Sequence, residues 1–86
     1  MKKEKLNNCK ILQLARLKNS VSGNPRWKFI IQSESQLFTM KTASSAGYKF
    51  LPYRYFIVTV VYHVTRKGNL ICDDIVYHRY AGITCD

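Results

Sequence analysis

Hydrophobic and polar positions alternate along much of this chain. Over residues 26–32 (RWKFIIQ), Trp27, Phe29 and Ile31 fall on one side, and Arg26, Lys28 and Gln32 on the other. Ile30 is the one break in the pattern. A period of two marks a strand with one buried face. Ser33, Glu34 and Ser35 form a short loop, and residues 36–41 (QLFTMK) return as a second strand of a hairpin. Residues 53–65 (YRYFIVTVVYHVT) are dense in β-branched and aromatic side chains on both faces, as in a central strand. Arg66-Lys67-Gly68-Asn69 is a hairpin turn, with Gly68 free to take a positive φ. Residues 70–78 (LICDDIVYH) form the last strand.

Residues 9–18 (CKILQLARLK) fit two periods. Alternation groups Ile11, Ala15 and Leu17 with Gln13 among them, whereas helical spacing groups Ile11, Leu14, Ala15 and Lys18. Asn19 to Pro25 is a turn cluster around Val21, and Pro25 is suited to beginning a strand. In residues 42–50 (TASSAGYKF), Thr42 or Ser44 is a candidate cap for one or two helical turns, Gly47 a candidate end, and Pro52 limits continuation. Residues 1–8 read as a loose basic tail and 79–86 as a C-terminal tail. With a strand at 9–18, the order is β-β-β-α-β-β. That predicts a mainly β domain over 9–78 with one short helix, as a small five-stranded OB-like or SH3-like barrel. An open sheet packed on a helix uses similar segments.

The run Ala15-Arg16-Leu17-Lys18-Asn19-Ser20, followed by Gly23-Asn24-Pro25-Arg26-Trp27 and then Thr39 to Tyr48, resembles a pattern in small phage-encoded accessory proteins. Their shared segment reads L-x-N-S-x-x-G-N-P-R-aromatic, followed by a hairpin, a Thr- and Ser-rich short helix and a further hairpin. The likeness spans residues 13–75. It implies a phage or prophage protein and favours a strand for residues 11–18; the family carries no settled function. The basic N-terminal segment and Cys85 depart from its pattern.

Charge sharpens the picture. The 86 residues carry 14 Lys and Arg against five Asp and Glu, a net of +9. Such an excess attracts polyanions over a Debye length or more. A chain of this length buries roughly 60–65% of its unfolded surface, enough for one core and little room for a deep catalytic cavity. The odd, sparse set Cys9, Cys72 and Cys85 does not read as a disulfide framework, and a reducing cytoplasm is the expected compartment. The apolar run from Tyr55 to Tyr62 is too short for a membrane helix.

Basic and aromatic side chains interleave. Lys10, Arg16, Lys18, Arg26, Lys28, Lys41, Lys49, Arg54, Arg66 and Lys67 are candidate phosphate contacts, and Tyr48 and Tyr53 are candidate stacking platforms, with Tyr55 and Trp27 nearby. The competing reading places Trp27, Phe29, Phe56 and most Tyr in the core and the Lys side chains on a solvated face. The chain contains no RNP-type aromatic motif or zinc-finger spacing.

His63, Cys72, His78 and Cys85 lack the close pairs of a structural zinc site, so no metal or cofactor is expected. Asp73 and Asp74 are neighbours on a strand and point to opposite faces, a poor arrangement for sharing a catalytic metal. Ser22-Gly23-Asn24-Pro25 is a turn without the Gly-Lys-Ser/Thr of a phosphate loop. The expected function is therefore binding, not catalysis. Two partners suit a small basic domain: nucleic acid, single-stranded by preference, or an acidic host protein of the transcription, replication or defence machinery.

Overall fold

The computed structural model describes residues 2–43, 46–51 and 53–81. Five strands, β1 (Glu4–Leu17), β2 (Arg26–Ser33), β3 (Gln36–Thr42), β4 (Phe56–Val64) and β5 (Leu70–Tyr80), close into a barrel in the order β1-β2-β3-β5-β4. All neighbours are antiparallel except β3 and β5, which pair in parallel through Lys41–Ile71 and Thr42–Cys72. This is the OB-type arrangement. One 3-10 turn, Ala46–Lys49, stands where the short helix was expected.

β1 closes the ring by serving two neighbours. Residues 4–10 pair with β4 and residues 10–17 with β2. Its register shifts between Leu6 and Cys9 and again between Ile11 and Gln13. Asn8 takes a φ of 55° at the first shift, a backbone region that Asn tolerates better than most residues. Each irregularity inserts a residue and reverses the alternation. Leu6, Cys9, Ile11 and Leu14 therefore all belong to the core side, at spacings that imitate a helix. The strand reading of this segment holds, but the expected grouping of Ile11 with Ala15 and Leu17 does not: beyond the shift Ala15 pairs with Lys28 and Leu17 with Arg26 on the outer face.

The core consists of Cys9, Ile11, Phe29, Ile31, Met40, Phe50, Val58, Val60, Cys72 and Ile75, with Trp27, Phe38, Phe56, Tyr62 and Tyr77 packed against it. Phe29 and Ile31 are buried as expected; Trp27 is only half-buried, stacked on Phe50 with ring centroids 5.9 Å apart.

Parts of both segments expected as tails are strand. Residues 4–8 are already strand, paired to β4 from Glu4–Tyr62 onward, and β5 extends through Tyr80. Hydrogen bonding to an adjacent strand holds these segments despite their polar composition. Thr42 does not cap a helix. It ends β3, buried, and its Oγ1 accepts the Trp27 N–H at 2.9 Å. Gly47 lies inside the 3-10 turn, not at its end. A Cβ there would meet the Pro25 carbonyl oxygen at 1.9 Å, so the glycine allows the turn to press on the entry to β2. Ser44, Pro52 and Cys85 lie outside the described residues.

Candidate nucleic-acid interface

The outer face of β2 and β3 is basic. Lys28 pairs directly with Lys41, and Arg26 lies two residues before Lys28 on the same face. Side chains directly opposite on antiparallel strands stand roughly 5 Å apart at Cβ, where like charges repel. Among the described residues the ion pairs are Lys49–Asp74 and His63–Asp73, and neither touches this face. The β4–β5 turn forms one wall. Arg26, Lys28, Thr39, Lys41, Gly68 and Asn69 line a groove of about 610 Å³. Gly68, at φ 86°, donates its N–H to the Thr65 carbonyl, and Thr65 N–H donates back to the Asn69 carbonyl, so the turn is rigidly closed. Arg66 and Lys67 sit exposed at its tip.

The β1–β2 loop leads into Arg26 and is held from two sides. Arg16 donates to the carbonyls of Leu17 (2.7 Å) and Arg26 (3.2 Å) and to Asn19 Oδ1 (2.6 Å), with its guanidinium 5.6 Å from the Trp27 ring centre. The Tyr48 hydroxyl donates to Asn24 Oδ1 at 2.9 Å. Arg16 and Tyr48 thus shape the loop on which exposed Lys18 is carried.

Other candidate residues lie elsewhere. Lys49 is joined to Asp74 at 2.8 Å, and this contact holds the Asp74 carboxyl below its usual range. Tyr53 and Arg54 line a second cleft, of about 790 Å³, with Gln13, Tyr55, Phe56 and Tyr80, and the Lys10 ammonium lies 5.8 Å from the ring centre of Tyr55. Sequence reasoning missed Thr39 and Asn69 in the groove, and Gln13 and Tyr80 at the cleft. Polar uncharged residues carry no signal without register, and Tyr80 fell in the segment assigned to a tail.

Of the residues weighed for metal binding and catalysis, His63, Cys72 and His78 have other partners. His63 Nδ1 meets Asp73 at 2.6 Å, and His78 Nε2 meets the Thr59 hydroxyl at 2.7 Å. Cys72 is buried, its thiol donates to the Asp74 carbonyl at 3.2 Å, and burial pushes its pKa up to about 12. Burial also raises the Cys9 thiol. Among the described residues no three His, Cys, Asp or Glu side chains converge on one point, and no helix is long and apolar enough to cross a membrane.

Comparisons with protein-family models, curated proteins and solved structures find no match to this chain.

Proposed function

We propose that this protein binds single-stranded nucleic acid along the outer face of β2 and β3, between the β1–β2 loop and the β4–β5 turn. One observation carries the reading: the directly opposed Lys28–Lys41 pair, extended by Arg26, on an open groove with no carboxylate paired to it among the described residues. A polyanion relieves the repulsion that folding imposes there. In OB-type barrels the strand 2–3 face and the flanking loops are where oligonucleotides and oligosaccharides bind, and the charge selects the former. The protein would work as an accessory protein of a phage or prophage in the host cytoplasm.

Fluorescence anisotropy of a labelled oligonucleotide, titrated at several salt concentrations, tests this. Each phosphate contact contributes about 0.7 to the slope of log affinity against log salt for a single strand. Arg26, Lys28, Lys41 and the turn residues Arg66 and Lys67 together predict a slope of roughly 3.5. Single strands should bind at least as tightly as duplex. Affinity no greater than that of an unfolded peptide of equal charge would overturn the reading and turn the basic face toward an acidic protein partner.

A further inference from the structure

The cleft between β1 and the start of β4 lies apart from the groove and is built differently. Phe56 forms its half-buried floor. Tyr53 and Tyr80 flank Phe56, with ring centroids at 6.2 Å and 5.4 Å, and remain 56% and 53% exposed. Two exposed rings beside a third leave aromatic surface open to solvent. Cations border it. The Arg54 guanidinium lies 5.3 Å and the Lys10 ammonium 5.8 Å from the Tyr55 ring centre. Neither has a carboxylate partner among the described residues. Gln13, exposed on the rim, adds an amide with both donor and acceptor.

The backbone beneath is held in a conformation that side chains avoid. Tyr55 has a φ of 69°, a region unfavourable for a bulky residue. Two hydrogen bonds enforce it: Tyr55 N–H donates to the Ile11 carbonyl and Ala81 N–H donates to the Tyr55 carbonyl, both at 2.7 Å. This bend sits between Arg54 and the start of β4 and ties both to β1 and to the end of β5.

We propose that this cleft is a nucleotide-binding site, with a base stacked among Tyr53, Tyr80 and Phe56, its edge met by Gln13 and its phosphate by Arg54 and Lys10. Its volume, about 790 Å³, suits a small-molecule-sized ligand. The register connects it to the groove: Gln13 pairs with Ile30, which lies two residues from Lys28 on the same face. About 7 Å along β2 and 5 Å across to β1 separate the two, by ordinary sheet spacing. One strand can thus cross from the Lys28–Lys41 groove into the cleft. The inference rests on the single-strand reading for that source of the nucleotide; a free nucleotide offers the same base and phosphate.

The test compares the wild type, Tyr53→Ala/Tyr80→Ala, Tyr53→Phe/Tyr80→Phe and Lys28→Gln/Lys41→Gln. Each is checked for a native circular dichroism spectrum and titrated with a twelve-residue oligothymidylate and with adenosine monophosphate. Loss of stacking should weaken the oligonucleotide at least tenfold with an unchanged salt slope, and the Phe pair should restore affinity. The Gln pair should instead lower the slope by about 1.4, two contacts of 0.7 each. Unchanged oligonucleotide and mononucleotide affinity in a folded Ala pair would overturn the cleft while leaving the groove standing. Binding of adenosine monophosphate alone, lost in the Ala pair, would keep the cleft as a free-nucleotide site and remove the single-strand reading. Binding of neither probe by the wild type would overturn both. Should the Ala pair fail to fold, Arg54→Gln carries the test, and affinity for both probes unchanged by it would overturn the cleft.

Discussion

Lys28 and Lys41 face each other across β2 and β3, two ammonium groups opposed on an open surface. Folding brings them together against their repulsion, so under the proposed function the pair sets stability against binding. Lys41→Glu should convert it into a cross-strand ion pair, raising stability by about 0.5 kcal/mol. That corresponds to roughly 2–4 °C in melting temperature for a chain of this size. The same change should weaken oligonucleotide binding more than tenfold at low salt. A lower melting temperature with unchanged affinity would contradict both halves.

Gly47→Ala should be strongly destabilising. The added Cβ would fall 1.9 Å from the Pro25 carbonyl oxygen and 2.7 Å from its carbon, both backbone atoms that cannot turn aside. The expected cost is about 2–3 kcal/mol, read from the urea midpoint. A shift smaller than about 0.5 kcal/mol would mean that the 3-10 turn does not press on Pro25.

Thr42→Val keeps the shape of a buried residue and removes the acceptor for Trp27 N–H. Leaving that donor unpaired should cost about 1–3 kcal/mol, whereas Thr42→Ser, which keeps the hydroxyl, should cost less in urea unfolding. Equal losses in the two variants would assign the effect to packing instead.

Cys72 predicts an alkaline limit. Its thiol is pushed from 9.0 up to about 12 by burial, with Asp73 and Asp74 adding to the effect. A raised native pKa means that the folded state holds the proton more tightly than the unfolded chain. Its contribution is thus complete below pH 9 and is lost between about pH 9 and 12, at up to about 1.4 kcal/mol per pH unit. Tyr77 and Cys9, also raised by burial, act with the same sign. Cys72→Ala should flatten the fall in stability over this window, leaving the Tyr77 and Cys9 components. An unchanged slope in alkaline urea titrations would show that the thiol does not titrate with unfolding.

Lys49 should be silent in binding. Its ammonium is joined to Asp74 and both side chains are exposed, 59% and 43%, so Lys49→Gln should cost less than about 1 kcal/mol. It should also let the Asp74 carboxyl rise toward its ordinary value, observable by NMR titration. The oligonucleotide salt slope should not change; a decrease of about 0.7 would place Lys49 on the interface.

Much of the fold could be read from periodicity. The alternation at residues 26–32 and the density of β-branched residues at 53–65 locate β2 and β4, because a pleated strand sorts its side chains by parity. The first strand was harder. Its two register shifts put Leu6, Cys9, Ile11 and Leu14 on one side, and that spacing is helical in form. The polar ends of β1 and β5 resembled tails because what orders them is a neighbour's backbone, for which side-chain composition carries no signal.

The sequence by itself determined a mainly β domain, its hairpin turns and an excess of positive charge, since these depend on residue type and local spacing. It also marked Lys10, Arg26, Lys28, Lys41, Tyr53 and Arg54 as candidates, without relating one to another. Only the tertiary structure decided that Lys28 opposes Lys41, that Arg16 and Lys49 are engaged elsewhere, and that Tyr53 and Tyr80 flank Phe56 beside a strained Tyr55. These are contacts between residues distant in the chain. They follow from strand register and barrel closure, where a one-residue shift moves every side chain to the opposite face.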